Sequence, residues 1–345
     1  MSEVILEKNS FFEYSAIPEN EPFWVTHSKQ WAKVIEKSFP QIKAYIASDN
    51  RVINSETSFL PLYRIKRPLN KISWLSIPYA TISDPVLNKG TSAGQFLNLL
   101  TNHNLTQKCK IELRFLSAIQ NTNDFAVCNG YLNHLLYLDA SEDEIFRRFH
   151  RTAVQVHIRK SLESGITIKT GTSLKDVGDF YRIYIQMRKE LHLPPQPFIF
   201  FKNMWNELYP HNHVELLLAE HDNKVVAGMW ILKNRWLYSF EYLARACKND
   251  RLRCAHFLYW HGIKRAISRN IPVVSFSRTS TRNTGLDLFK RRWGTRVVPY
   301  HDLVYPGIEE KHREDKHLFR IMKKVSPTLP LPLFRILGEI IYRII

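Results

Sequence analysis

Lys290 stands out as a group that could do chemistry, because Arg291, Arg292 and Arg296 surround it and Trp293 follows closely. An ammonium in such company could meet a phosphate or a developing oxyanion. On charge alone, one cation on a solvated helix face is the plainer reading. Arg278 ends an expected strand at 273–276, where ligand clefts tend to form. It could clamp a carboxylate or phosphate, or pair with Glu241 or Asp287. Glu241 lies mid-strand in Tyr238-Ser-Phe-Glu-Tyr242, and a carboxyl amid aromatics can gain a raised pKa and serve as a general base. A strand carboxylate facing water fits equally well. Arg147, Arg148, Arg151, Arg159 and Lys160 form a basic run with acids only at its ends. Arg148, Arg151 and Arg159 could share one helix face and grip an anionic substrate, although a merely solvated face is the default. His211 and His213 follow Pro210 without carboxylate company, so no metal site is expected.

These residues need elements to position them. A β-branched run at 166–170 precedes Ser173 and Asp176, a helix start signal followed by Val177, Phe180, Tyr184 and Met187 on one face. Pro197 opens another helix through Phe201, Met204, Trp205 and Leu208. Apolar runs at 214–219, 225–232 and 236–243 with short polar separators predict a three-stranded antiparallel meander. Helical spacing returns at 251–269 and stops at Asn270, which tolerates positive φ. A strand at 273–276, a short helix at 286–292 and a strand at 297–304 follow. The first half shows a blurrier version: a helix at 28–36, strands at 42–46, 58–64 and 72–77, a helix at 93–100 and a strand at 111–115. The similar order predicts a duplicated mixed α+β fold.

The chain has 345 residues, 44% hydrophobic and 23% charged, which excludes a disordered or collagen-like chain and suggests about two domains. Lys and Arg number 49 against 32 Asp and Glu, a formal charge of +17 that favours an anionic partner. Four scattered cysteines form no CxxC pair and suit a reducing compartment. The first 22 residues carry five glutamates and no basic-then-apolar stretch, and no uncharged run approaches a bilayer span. The expected location is therefore cytoplasmic or peripheral on the inner face of the cell membrane.

Three segments carry a resemblance. The first runs from Phe146-Arg-Arg-Phe-His-Arg to Arg159-Lys160 and on through Ser164-Gly-Ile-Thr-Ile-Lys169. The second runs from Asp179-Phe-Tyr-Arg-Ile-Tyr to Pro194-Pro-Gln-Pro-Phe-Ile-Phe-Phe201. The third is Phe276-Ser-Arg-Thr-Ser, then Asn283-Thr-Gly285, Phe289-Lys290 and Trp293-Gly294. Together they resemble the FemAB-like transferases of the Gcn5-related N-acetyltransferase (GNAT) superfamily over about residues 135–305. The resemblance implies an α+β fold of two tandem GNAT-like domains with mixed, largely antiparallel sheets flanked by helices. Residues 1–138 would be a degenerate first copy, 139–305 the transferase domain and 306–345 a basic, amphipathic helical tail.

The activity it implies is transfer of an aminoacyl or acyl group onto an amine of a cell-envelope precursor or polysaccharide, peptidoglycan among them. Such transfer needs a base for the amine, donors for the oxyanion and cations for the donor's phosphates. Lys290 and Glu241 are the catalytic candidates; Arg278, Arg151, Arg159, Arg251 and Arg253 are the substrate- and phosphate-binding ones. With no nucleophile elbow in view, direct attack in a ternary complex is preferred. No tightly bound cofactor is expected, and the donor is either aminoacyl-tRNA or acyl-CoA. The loop at 246–255 lacks the glycines with which acetyl-CoA users cradle pyrophosphate, although Arg251 and Arg253 could supply charge. The alternatives are an acyl-CoA-dependent N-acetyltransferase of an amino sugar, a non-catalytic nucleic-acid-binding module, and a membrane-peripheral scaffold; tRNA would enter as a partner with an aminoacyl donor. In the tail, Arg335, Glu339 and Arg343 make one narrow polar stripe on an otherwise apolar helix preceded by Lys316, Arg320, Lys323 and Lys324. That segment suits either an anionic membrane surface or docking on its own domain.

Overall fold

A computed structural model describes residues 5–8, 24–49, 57–88, 90–102, 109–117, 125–246, 251–306 and 317–344. The chain begins with β1 (Ile5–Lys8), α1 (Lys29–Ser38), β2 (Ile42–Ser48), β3 (Phe59–Lys66), β4 (Ile72–Leu75), α2 (Ala93–Asn102) and β5 (Lys110–Phe115). It continues through β6 (Ala126–Tyr137), α3 (Glu142–Arg148), α4 (Val156–Glu163), β7 (Thr167–Thr170), α5 (Leu174–Glu190) and α6 (Phe198–Leu208). Next come β8 (Val214–His221), β9 (Lys224–Lys233), β10 (Leu237–Arg245), α7 (Cys254–Ser268), β11 (Val273–Ser275) and β12 (Thr279–Ser280). The remaining elements are α8 (Thr284–Arg291), β13 (Arg296–Tyr305), α9 (His317–Val325) and α10 (Leu331–Ile344).

Two compact units result. One comprises Met1–Leu132, Pro299–Lys311 and Arg343–Ile345, the other Asn133–Val298 and His312–Tyr342. Within the first, β1, β2, β3 and β4 pair antiparallel in sequence, β4 runs parallel to β5 across α2, and β13 pairs antiparallel with β5. Within the second, β7, β8, β9 and β10 pair antiparallel, β10 runs parallel to β11 across α7, and β6 pairs antiparallel with β11. The same strand grammar is written twice, so the fold is a duplicated α+β arrangement with mixed, mainly antiparallel pairing.

The second unit follows its apolar pattern closely. Nine of the ten residues of β9 are buried, because α5 packs on one face of the strand and α7 on the other. Ser173 caps α5 by accepting from the Asp176 N–H, while the Asp176 side chain accepts from the Ser173 N–H in return. Trp293, Phe276, Phe240 and Tyr259 join the main core cluster between the sheet and α7.

Two local features depart from expectation. The basic segment at 147–160 is not one helix: α3 ends at Arg148, Phe149 is extended, and a π-turn at Arg151–Gln155 leads into α4. His150 breaks the run by accepting from Ala153 N–H at its ring and donating its own N–H to the Arg292 carbonyl, 2.8 Å away. Arg148, Arg151 and Arg159 therefore cannot form one helical stripe. Residues 126–137, for which the pattern predicted no element, form the twelve-residue strand β6.

Candidate active site

The site begins where two parallel strands part. β10 and β11 stay paired from Leu237 opposite Val273 to Ser239 opposite Ser275. Beyond that point Glu241 is the extra residue of a β-bulge, since Phe240 faces Ile231 and Tyr242 faces Trp230. Bulges bend a strand and re-aim its side chains. The chain after Ser275 keeps to β6 instead, with Phe276 N–H donating to the His134 carbonyl at 2.9 Å. Ser277 turns away in the left-handed region (φ 61°), donating its N–H to Ser275 Oγ at 3.1 Å and its hydroxyl to the Phe240 carbonyl. The carboxyl ends of parallel strands are where such sheets receive ligands.

Lys290 reaches this point from α8, whose first turn is capped by Asn283 Oδ1 accepting from Leu286 N–H. Phe289 and Trp293 flank it in the core cluster, and Gly294 (φ 69°) lets the following turn approach the Arg148 backbone. A Cβ there would lie 3.2 Å from the Arg148 carbonyl oxygen. Lys290 is only 3% exposed, so the solvated-face reading fails. Its ammonium donates to the Ser277 carbonyl at 2.9 Å. Burial lowers its pKa to about 7, although the Glu241 and Asp287 carboxylates favour the charged form. Near neutral pH the amine therefore exchanges its proton readily.

Asp287, one turn earlier on α8, accepts from Arg291 Nε at 2.9 Å and meets His134 Nε2 at 2.8 Å. Burial lowers the pKa of His134, with the Asp287 hydrogen bond opposing. The neutral ring then donates Nε2–H to Asp287, and Nδ1 has no hydrogen-bond partner among the described residues. On the other face of the strand, Asn133 Oδ1 accepts from Ser275 Oγ at 2.9 Å. Asn133, His134 and Ser275 are all fully buried, an unusual set of polar groups for central strands. Sequence patterning missed them, because their partners lie far along the chain. The detectable signal was the pair of polar residues inside an otherwise apolar Leu132 to Leu136 run.

The other candidates are placed as follows. Glu241 is half-buried, accepts from Ser239 Oγ at 2.6 Å and lies within electrostatic reach of Lys290. Arg278 is half-buried and directly follows Ser277. Arg251 is exposed and Arg253 half-buried just before α7, where Arg253 takes the left-handed conformation at φ 54°. Arg151 is exposed in the π-turn, which abuts the first turn of α7 through a His256 ring contact to the Ala153 carbonyl at 3.2 Å. Arg159 is exposed and lies over the Phe146 ring at 5.5 Å. The structure thus associates Lys290 with Glu241, sets Arg278 directly after Ser277, whose carbonyl accepts from Lys290, and leaves Arg159 on a separate helix.

Residues 148–291 match the family model described as acetyltransferase (GNAT) domain. No curated protein matches the sequence significantly. Among solved structures the chain is similar to FemX, with TM-score 0.63 and 14% identity over 81% of this chain and 91% of that one. It is also similar to L-PGS from Bacillus licheniformis, with TM-score 0.50 and 11% identity over 89% and 98% of the two chains. A conserved protein of unknown function from Bacteroides thetaiotaomicron VPI-5482 gives TM-score 0.52 and 9% identity over 80% and 89%. No helix among the described residues is long and apolar enough to cross a membrane. Residues 148–291 thus carry a GNAT acetyltransferase domain, and the chain as a whole has the fold of FemX with a duplicated strand grammar.

Proposed function

We propose that the second unit transfers an aminoacyl or acyl group onto an amine of a cell-envelope precursor, by direct attack in a ternary complex. The observation that carries this reading is the buried Lys290 amine at the parting of β10 and β11, beside the bulged Glu241. A lysine held there with a pKa of about 7 is costly to the fold, and such groups concentrate at reacting centres. The fold shared with FemX supports an envelope amine as acceptor.

In this mechanism Glu241 accepts the proton that the attacking amine releases; the tetrahedral adduct then collapses, the carbonyl bond to the donor's sulfur or ribose oxygen breaks, and that proton leaves with the donor's thiol or hydroxyl. The Lys290 ammonium swings from the Ser277 carbonyl to the donor's carbonyl oxygen as that oxygen gains charge. Arg278, Arg251 and Arg253 lie at or just beyond the carboxyl ends of β10 and β11 and hold the donor's phosphates. Arg151 takes the anionic part of the acceptor, with Arg159 outside the reaction. The first unit is a degenerate copy without chemistry of its own.

Two donors fit that charge, an acyl-CoA and an aminoacyl-tRNA. The left-handed Arg253 at the start of α7 can form a nest of backbone N–H groups without glycine, so the CoA thioester stays open as donor. The test is a thermal-shift panel with acetyl-CoA and aminoacyl-tRNA, followed by turnover with amine acceptors using the wild-type and Lys290→Met proteins. The donor that binds the native state raises the melting temperature. Unchanged turnover in a folded Lys290→Met protein would overturn the mechanism and favour a non-catalytic binding role.

A further inference from the structure

The tail helix α10 has two apolar faces, and only one of them is used by the fold. Phe334, Gly338 and Ile341 form the docked face and are buried. Gly338 is required there, since an added Cβ would sit 2.5 Å from the Pro195 carbonyl oxygen. Ser326, ahead of α10, is tied by its hydroxyl to His192 Nδ1 at 2.9 Å, and Met322 of α9 is buried. The polar stripe of Arg335, Glu339 and Arg343 runs along one side of that face. Beyond the stripe, Leu333, Ile336 and Ile340 are 51%, 45% and 49% exposed, spaced three and four residues apart on one side of the helix. Ile321 of α9 adds another apolar side chain at 43% exposure.

We propose that this outer face of α10 lies in the interface of an anionic membrane, with the protein resting on the bilayer and not crossing it. Charge decides the occupant. From residue 316 onward the sequence carries Lys316, Arg320, Lys323, Lys324, Arg335 and Arg343 against the single acid Glu339. Lys323 and Lys324 are exposed, and α10 has only 14 residues, too few to span. A second copy of a strongly cationic tail would repel this one, whereas anionic headgroups attract it. An apolar face bordered by basic groups is the pattern by which a helix lies in a lipid interface. The inference is independent of the transfer chemistry, since Leu333, Ile336 and Ile340 are remote in sequence from every residue placed in the reacting site.

The test uses the full chain and vesicles of phosphatidylcholine with or without about 30 mol% phosphatidylglycerol. Flotation should show binding to the anionic vesicles, weakened by salt, and little to the neutral ones. Ile336→Glu with Ile340→Glu should lower that binding at least tenfold while leaving the melting temperature and turnover on a soluble acceptor unchanged. Equal binding to both vesicle types, or by both proteins, overturns the proposal. So does a wild-type dimer in solution that the double variant abolishes, which would assign the face to a second copy. Loss of turnover in Lys290→Met with vesicle binding intact would leave this inference standing on its own.

Discussion

In the first unit β4 runs parallel to β5 from Ser73 opposite Lys110 to Leu75 opposite Glu112, and the strand ends are then stitched together. Ser76 N–H donates to the Glu112 carbonyl at 3.0 Å, and Arg114 N–H donates to Ser76 Oγ at 2.9 Å. The Arg114 guanidinium, buried, donates to the Ile77 carbonyl at 3.1 Å and faces Glu112 at 3.6 Å. In the second unit the equivalent strands separate after Ser239 and Ser275, β10 bulges at Glu241, and a lysine from α8 enters. The pairing β3–β4 shows no such shift. One duplicated frame therefore has a closed end where structure is maintained and an opened one where a titratable amine is buried. The lesson is that a buried cation means different things in the two units. Arg114 is held charged by Asp302, Glu112 and backbone acceptors, against its burial. Lys290 is pulled toward neutrality by the same physics, because its carboxylate partners do not offset burial.

The largest test of this contrast is Lys290→Met. Turnover should fall by a factor on the order of 10² to 10⁴, the scale of losing a positioned proton-transfer or oxyanion group. The fold should gain stability in the same variant. In the wild type Lys290 binds a proton more tightly when unfolded, so stability rises with pH between about 7 and the ordinary lysine value, and the full penalty is present below about 7. At pH 7 that penalty is roughly 4 kcal/mol, so urea melts of Lys290→Met should show an increase of up to that size and a flatter dependence on pH. A loss of stability would mean that Lys290 is a structural pillar like Arg114.

Glu241→Gln should cost about tenfold to a hundredfold in turnover by removing the proton acceptor. It also removes the main charge that holds the Lys290 proton, so the alkaline limb of the pH–rate profile should move below its wild-type position near 7. An unshifted limb would separate the two residues. Arg114→Met is the mirror experiment. It leaves the Ile77 carbonyl unpaired and Glu112 with Lys110 at 2.7 Å, so the protein should lose about 2–4 kcal/mol in denaturant melts while turnover per folded molecule stays constant. The smallest effect is expected from Gly294→Ala, which forces a Cβ into a left-handed turn beside Arg148. Its cost should be about 1–2 kcal/mol in the same melts.

Much of the second unit was legible along the chain. The meander at β8, β9 and β10, the capped start of α5, and the left-handed Asn270 after α7 all follow from nearby residues. The same holds for the Phe289-Lys290 and Trp293-Gly294 pairs, whose aromatics occupy the core. β6 was not legible, because Asn133 and His134 look like turn residues until Ser275 and Asp287, 142 and 153 positions away, satisfy them. The break in the basic segment was equally hidden, since its cause is the His150 bond to the Arg292 carbonyl across the fold. For the tail, sequence spacing showed the polar stripe on α10 but could not divide the apolar remainder into a docked face and an exposed one.

By itself the sequence determined most elements of the second unit and the likeness between the two halves, and it singled out Lys290 as a candidate, because periodicity, caps and short motifs act over a few residues. Tertiary structure alone decided that this lysine is buried and sits where β10 leaves β11, with a carboxylate in electrostatic reach. Burial and charge proximity are set by groups distant in the chain, and a proton's affinity for an amine depends on nothing more local than that surrounding field.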